Sequence, residues 1–281
     1  MTDVKPPRFD RLPQGYTAEQ LIQHYEIEKE LAARLMQAPF AERRVLYSSL
    51  YDELFARVPW HSQLRKKEGG RKLEKQLQPL QPFLKPETVL LEVGAGDCAL
   101  SFRVAQQVKK VFALDVSDVI TQQKKFPENV ELILSDGISV PLPENSLDVA
   151  YSNQLMEHLH PDDALQQLEN IWRALKPGGV YICITPNRIS GPHDISRYFD
   201  ETACGFHLKE YTFADLQAIF RRAGFHRLRA ITKIPGLPVL PLAPYLLLEK
   251  LLTAIPGRWR KKVAHQWIIE RLLYIRILAL K

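Results

Sequence analysis

The chain has 281 residues, of which 46% are hydrophobic and 25% charged, as in a globular protein that can bury a sizeable core. Its formal net charge of +6 is carried entirely by the segment from Gly236 onward, which holds eight cations and two anions. Three cysteines without a CxxC pair exclude a disulfide framework and favour a reduced, cytoplasmic setting. No apolar run reaches the roughly 20 residues of a membrane span, and the N-terminal MTDVKPPRFDRLP predicts no signal peptide.

The first 86 residues predict an all-helical extension. Thr17-Ala-Glu-Gln20 has the form of a capping box, and the apolar residues that follow it keep helical spacing. Pro39 opens a second amphipathic helix that is expected to end before Pro59, and RKLEKQLQPL predicts a third. We expect this extension either to cover a sheet edge or to form a lid over a substrate.

From Thr88 the pattern changes to strands that alternate with helices. Five apolar runs have the spacing of βαβ units: TVLLEVG, VFALDV, VELILSD, LDVAYSN and GVYICITPN. They predict a doubly wound, mostly parallel α/β sheet in a domain of residues 87–281. RLRAITKI and the terminal YIRILAL bring the predicted sheet to seven strands, with a helical insertion at about 235–273 before the last one.

The glycine loop after the first strand has two interpretations. Gly94-Ala95-Gly96-Asp97-Cys98-Ala99 satisfies the dinucleotide pattern G-x-G-x-x-G/A, which favours an NAD-dependent oxidoreductase. In that fold the loop faces a pyrophosphate, and Glu92 would add like charge beside it. S-adenosylmethionine carries a sulfonium and an ammonium but no phosphate. Acidic groups at three strand ends, Glu92, Asp115 and Asp136, therefore favour S-adenosylmethionine, with NAD as the alternative.

The motifs EVGAGDC, LDVS, LSDG, LDVAYSNQLMEHL and LKPGGVYICITPN, taken in this order, resemble those of class I S-adenosylmethionine-dependent methyltransferases. The resemblance covers about residues 88–187 and is greatest to the branch that includes the quinone-biosynthesis O-methyltransferases. It departs from the family at Cys98, where a third glycine is common. The resemblance implies S-adenosylmethionine as cofactor and the following cofactor-binding residues: Glu92, Gly94, Ala95, Gly96, Asp115, Val116, Asp136, Gly137 and Asn153.

Methyl transfer from a sulfonium is an in-line displacement that depends on alignment, and a hydroxyl acceptor also needs a base within reach. Three histidines lie where the family places its substrate and are the candidate catalytic residues: His158, His193 and His207. The candidate acceptor-binding residues are Arg188, Asp194, Arg197, Tyr198 and Tyr211. No metal site is expected from the sequence. The whole chain is also similar to uncharacterised bacterial methyltransferases associated with glycan assembly.

The segment 234–273 combines an uncharged, proline-interrupted apolar run with the basic RWRKK and two tryptophans, Trp259 and Trp267. Apolar surface bordered by cations and tryptophans is typical of a segment that binds an anionic bilayer. We therefore hypothesise a methyltransferase at the inner face of the membrane that acts on a small, sugar or lipid-linked acceptor. The alternatives are packing of the insertion on the core or a dimer contact, and a non-catalytic S-adenosylmethionine-binding module. An RNA methyltransferase is disfavoured, since no RNA-binding module is visible.

Overall fold

The computed structural model describes residues 12–61, 64, 70–234 and 237–281. Its N-terminal helices are α1 (Ala18–Gln37), α2 (Phe40–Arg57) and α3 (Gly70–Leu77). Then follow β1 (Val89–Val93), α4 (Ala99–Ala105), β2 (Lys110–Asp115), β3 (Val130–Leu134), β4 (Leu147–Asn153), α5 (Pro161–Ala174) and β5 (Leu175–Thr185). The rest of the chain forms α6 (Phe213–Arg222), β6 (Arg227–Ile234), β7 (Leu237–Pro241), α7 (Ala243–Thr253), α8 (Gly257–Ala264), α9 (Trp267–Leu273) and β8 (Ile275–Leu280).

These strands form one sheet in the order β3-β2-β1-β4-β5-β8-β6-β7. The first five strands in that order are parallel, and β8 lies antiparallel between β5 and β6. The predicted doubly wound, mostly parallel α/β fold is confirmed, but the predicted count of seven strands is wrong. The eighth strand is β7, at the edge of the sheet, where Pro238 and Pro241 are tolerated because one side of an edge strand needs no partner.

Helices α1 and α2 share a buried core with the sheet. Leu31 on α1 and Leu50 on α2 belong to the same apolar cluster as Leu91 on β1 and Tyr181 on β5. The N-cap of α1 is the predicted capping box, with Thr17 Oγ1 accepting from Gln20 N at 3.2 Å. The N-terminal extension therefore packs on the sheet.

A buried ion pair fastens α2 to the start of α5. The guanidinium of Arg43 donates two hydrogen bonds to Asp163, from Nε at 2.7 Å and from Nη2 at 2.6 Å. Tyr47 Oη donates to the same carboxylate at 2.9 Å and accepts from the backbone N–H of His160 at 2.8 Å. Because both charges are buried and fully hydrogen-bonded, this contact fixes α2 relative to the sheet.

One side of the insertion α7–α9 packs against the 3₁₀ turn Arg188–Ser190. Ile189 of the turn forms a small apolar cluster with Leu252, Ala264 and Leu273. Glu249 on α7 accepts hydrogen bonds from Asn187 Nδ2 at 2.8 Å and from the first backbone N–H groups of α6. The insertion is thus joined to the loop that follows β5. In the part of the chain that the structure describes, no helix is long and apolar enough to cross a membrane.

Candidate functional site

A pocket lies at the carboxyl ends of β1, β2 and β4, beneath helix α2. Its lining includes Tyr47, Tyr51, Phe55, Gly94, Gly96, Asp115, Val116, Ser117, Gly137, Gln154, Leu155 and His158. Five of the residues expected to bind the cofactor are in this lining: Gly94, Gly96, Asp115, Val116 and Gly137. The other four lie behind or beside the pocket wall: Glu92, Ala95, Asp136 and Asn153.

The glycine loop is held by β2. The backbone N–H groups of Gly94 and Ala95 both donate to Leu114 O, and that of Gly96 donates to Asp115 Oδ2 at 2.6 Å. Gly94 has a φ of 72°, and a Cβ there would approach Leu155 Cδ1 to 3.0 Å. Cys98, which replaces a glycine common in the family, itself adopts a left-handed φ of 55°. The loop therefore closes without the third glycine.

Asp115 is the carboxylate that organises the pocket. Besides Gly96 N, it accepts hydrogen bonds from the backbone N–H groups of Val116 at 2.7 Å and Ser117 at 3.3 Å. Burial raises the pKa of Asp115, and the three backbone donors lower it only in part. Because the carboxylate lines the pocket, it can accept from the two hydroxyls of a ribose.

The surroundings of Glu92 and Asp136 shift the pKa values of these two carboxyl groups in opposite directions. Glu92 is buried behind the loop, where its Oε2 accepts from Ser101 Oγ at 2.5 Å, and burial raises its pKa to about 8. Burial also disfavours the charge on Asp136, but backbone N–H groups and the guanidinium of Arg44 outweigh it and lower the pKa to about 2. Near neutral pH, Glu92 is therefore protonated in the cofactor-free chain, whereas Asp136 is ionised.

The stability of the cofactor-free chain is expected to fall with pH through Glu92. Its pKa is about 8 in the folded chain against an ordinary 4.5, so between these values the folded state binds the extra proton and stability is lost as pH rises. Glu92→Gln mimics the protonated form and should be more stable than wild type at about pH 9, with a smaller difference at about pH 5. Chemical denaturation of both proteins at the two pH values measures this. A difference that does not change with pH would contradict the assignment.

Helix α2 forms a wall of the pocket that sequence reasoning missed. Tyr47, Tyr51 and Phe55 lie four residues apart, so they project from one face of the helix toward the glycine loop. A Cβ on Gly137 would lie only 2.8 Å from the ring of Tyr47. The signal that could have identified this wall is the aromatic stripe at positions i, i+4 and i+8 of the second predicted helix.

Beyond the pocket, two of the candidate histidines contact each other. The rings of His158 and His207 meet edge to face with centroids 4.8 Å apart. His158 lines the cofactor pocket, whereas His207 lines a second pocket together with Arg188, Gly191, Thr202, Lys209 and Glu210. The two histidines therefore form the wall between the two pockets.

Each of these histidines has one ring nitrogen engaged. His158 Nδ1 lies 2.8 Å from Phe206 O, and because a carbonyl only accepts, this nitrogen carries the proton. Burial lowers the pKa of His158 to about 3, which keeps the ring neutral. His207 Nδ1 lies 2.8 Å from Glu210 Oε1. Burial lowers the pKa of His207, but the bond to Glu210 and the charge of Glu157 outweigh it, so the net shift is upward.

Glu157, which directly precedes the candidate His158, is buried beside this pair. Its Oε2 accepts from Thr185 Oγ1 at 2.8 Å, and Oε1 has no hydrogen-bond partner among the described residues. Burial raises the pKa of this carboxyl to about 7. One potential ligand atom from each of Glu157, His158 and His207 lies within 4.8 Å of the other two.

The remaining candidates have other surroundings. His193 Nε2 lies near Ser190 Oγ and Asn187 O, at 3.1 and 3.2 Å, and burial lowers its pKa. Asp194 caps a short 3₁₀ turn by accepting from the backbone N–H groups of Ser196 and Gly205.

Among the acceptor-binding candidates, Arg188 lines the second pocket and pairs with Asp215 at 3.3 Å. Arg197 stacks on the ring of Tyr198, and Tyr211 is only 1% exposed. The structure therefore brings Arg188 to the second pocket but not Arg197, Tyr198 or Tyr211.

Comparison with known proteins agrees with this geometry. Residues 91–183 match a family described as "Methyltransferase domain". A Mycolicibacterium smegmatis protein named Probable S-adenosylmethionine-dependent methyltransferase is 32% identical over 138 residues, which are 48% of this chain and 51% of that protein. A Listeria monocytogenes demethylmenaquinone methyltransferase is 28% identical over 178 residues, covering 53% and 74% of the two chains.

Among solved structures, a chain from the Haloferax volcanii complex of the Trm112 methyltransferase activator with a candidate methyltransferase superposes with a TM-score of 0.51. It is 16% identical, with 74% of this chain and 90% of that chain covered, so it supports the fold alone. The chain spans about half the length of the mycobacterial relatives that it matches. S-adenosylmethionine is the cofactor that the family and fold imply. Residues 91–183 therefore match a methyltransferase domain, and the chain is similar to S-adenosylmethionine-dependent methyltransferases in sequence.

Proposed function

We propose that the chain transfers a methyl group from S-adenosylmethionine to a hydroxyl of a small, sugar or lipid-linked acceptor. The observation that supports this best is the pocket beside the glycine loop. It contains the carboxylate of Asp115, and in the described part of the chain no lysine or arginine lines it. A dinucleotide pyrophosphate would meet a carboxylate there without a cation, whereas a cofactor with a sulfonium and an ammonium has complementary charge.

The two pockets suggest the direction of transfer. The cofactor occupies the pocket at the ends of β1 and β2, and the acceptor enters through the second pocket and reaches the wall formed by His158 and His207. The methyl carbon bonds to the acceptor oxygen as its bond to sulfur breaks, and the electron pair of that bond stays on sulfur. The hydroxyl releases its proton to solvent at the wall formed by His158 and His207. Alignment across this wall supplies much of the rate.

We propose that His158 and His207 are the catalytic residues that contact the acceptor. His193 lies near His207, because its backbone N–H donates to Glu210 Oε1 at 2.6 Å and the same oxygen contacts His207 Nδ1. Arg188 is the proposed acceptor-binding side chain at the second pocket, with Asp194 shaping the loop behind it. Arg197, Tyr198 and Tyr211 are proposed to support the loop.

The reaction is tested by incubating the purified chain with methyl-tritiated S-adenosylmethionine and a lysate of its own host. Lipid, glycan, nucleic-acid and protein fractions are then separated and counted. Label in the organic-solvent or glycan fraction would support the proposal. Label in RNA or protein would overturn the acceptor class, and cofactor binding without label in any fraction would support a non-catalytic module instead.

The outer face of the insertion is proposed to rest on an anionic membrane at the cytoplasmic side. Five large apolar side chains are exposed there: Leu247, Leu251, Trp259, Trp267 and Ile268. Exposed cations border them, with Arg271 above the ring of Trp267 at 4.4 Å and Lys262 above that of Trp259 at 5.2 Å. Apolar side chains enter the acyl boundary while the cations contact anionic headgroups.

Membrane binding is predicted to depend on α9. The Trp267→Asp/Ile268→Asp variant should bind anionic vesicles at least about tenfold more weakly, since each lost apolar side chain contributes about 1.5–3 kcal/mol when buried. Val45→Asp is the matched control, because Val45 is 72% exposed on α2, away from the insertion. Flotation with phosphatidylserine-containing vesicles measures this. Wild-type protein that stays at the bottom of the gradient would contradict the proposal.

A further inference from the structure

We propose that Glu157, His158 and His207 bind one divalent transition-metal cation, of the kind that Zn²⁺ represents, between the two pockets. This inference rests on the proposed methyl transfer, because it places the cation where the acceptor hydroxyl arrives. The sequence predicted no metal site, since His207 lies far along the chain from the adjacent pair Glu157 and His158. The fold brings the loop after β4 and the loop after β5 together, so that one ligand atom from each residue lies within 4.8 Å of the others.

The orientation of both imidazoles supports metal binding. His158 donates through Nδ1 to Phe206 O at 2.8 Å, and His207 uses Nδ1 toward the Glu210 carboxylate at 2.8 Å. In each ring this leaves Nε2 as the available ligand atom. Metal-bound histidines almost always have their second nitrogen held by a carbonyl or carboxylate, which fixes the tautomer and the ring orientation.

The carboxylate provides an independent observation. Glu157 is completely buried, and its Oε1 finds no hydrogen-bond partner in the described part of the chain, although Oε2 accepts from Thr185. A buried acceptor left without a hydrogen-bond partner destabilises the folded chain, and more so when it is charged. A cation held by this oxygen and the two imidazoles would satisfy it. Two histidines and one carboxylate are a donor set that suits zinc and related metals.

A second group of histidine and glutamate side chains differs from the proposed metal site, because two of its members are already hydrogen-bonded to each other. His24, Glu28 and His61 are also close together, but His24 Nε2 lies 2.7 Å from Glu28 Oε1 and Tyr16 Oη lies 3.0 Å from His24 Nδ1. That group is joined by its own hydrogen bonds. No such bond joins Glu157 to His158 or His207 in the structure.

The site has a direct use in the proposed reaction. Three protein ligands leave an open position on a zinc-like cation. His158 lines the cofactor pocket and His207 the second pocket, so an acceptor hydroxyl can reach that position from the acceptor side. Coordination lowers the pKa of the hydroxyl, and its proton is released to solvent while the oxygen stays on the cation, aligned with the methyl group.

The test is Co²⁺ absorption spectroscopy on the full chain after treatment with a chelator. Wild type should bind one equivalent of Co²⁺, with visible bands that Zn²⁺ displaces. Glu157→Gln and His207→Ala should each weaken binding at least about 100-fold, and Glu210→Gln should weaken it by about 10–100-fold because it removes the partner of His207. His24→Gln is the matched control and should leave binding unchanged.

Binding of S-adenosylmethionine, measured separately on each variant by calorimetry, shows whether the pocket is still folded. Wild-type protein that binds no stoichiometric Co²⁺ would overturn the proposal, as would loss of binding in His24→Gln with retention in His207→Ala. Stoichiometric metal binding in a chain that transfers no methyl group would retain the site but refute the proposed function.

Discussion

Replacing Asp115 by alanine is expected to weaken S-adenosylmethionine binding by at least about 100-fold, the equivalent of about 2.7 kcal/mol. Asp115 accepts from the backbone N–H groups of Gly96, Val116 and Ser117, so the substitution leaves three donors without their partner beside the cofactor. It also removes the acceptor proposed for the ribose hydroxyls. Hydrogen bonds to charged groups contribute about 1.5–3 kcal/mol each, so the loss of two already gives the expected effect.

Isothermal titration calorimetry of three variants measures this effect. Asp115→Asn keeps the shape of the side chain but not its charge and should bind more weakly than wild type by about tenfold. Asp118→Ala is the matched control, because Asp118 is a nearby carboxylate outside the pocket lining that accepts from Gln122 Nε2. An Asp115→Ala protein that binds the cofactor like wild type would contradict the assigned pocket.

Replacing Arg43 by alanine is expected to lower the free energy of unfolding by about 3–5 kcal/mol, since it leaves the buried Asp163 carboxylate without its cation. The same change should loosen α2 and therefore weaken cofactor binding, because Tyr47, Tyr51 and Phe55 of that helix line the pocket. Urea denaturation and cofactor titration of the same variant measure both effects.

Two comparisons make this result specific. Arg57→Ala removes a partly exposed arginine that pairs with Glu30 and Glu53, and it should lower the free energy of unfolding by less than about 1 kcal/mol. Arg43→Met/Asp163→Leu removes both buried charges and should recover part of the stability that Arg43→Ala loses. If Arg43→Ala and Arg57→Ala cost the same, the ion pair does not fasten α2 to α5.

Most strands and helices could be predicted because their signals are local. Thr17 and Gln20 of the N-terminal capping box form the expected bonds, and Pro161 begins α5. The strand β7 was missed because its prolines interrupt the apolar run that was assigned to the helical insertion. Only the place of β7 at the sheet edge makes these prolines acceptable in a strand.

The site was harder to predict because it depends on contacts between distant segments. The positions of the glycine loop and of Asp115 at the strand ends could be predicted from local pattern alone, and both line the pocket. The aromatic wall on α2 and the grouping of Glu157 with His207 depend on how the helices and loops pack, which no local pattern specifies. Tyr211 was expected at the acceptor because it lies where the resemblance places the substrate, beyond the strand ends, yet packing against the core buries it.

The central claim is that the pocket beside Gly94, Gly96 and Asp115 binds S-adenosylmethionine and not a dinucleotide. Isothermal titration calorimetry of the full chain with S-adenosylmethionine and, separately, with NAD tests it most directly. We predict one S-adenosylmethionine per chain, no binding of NAD, and loss of the S-adenosylmethionine signal in Asp115→Ala. Binding of NAD at one site, with no heat from S-adenosylmethionine, would contradict the account.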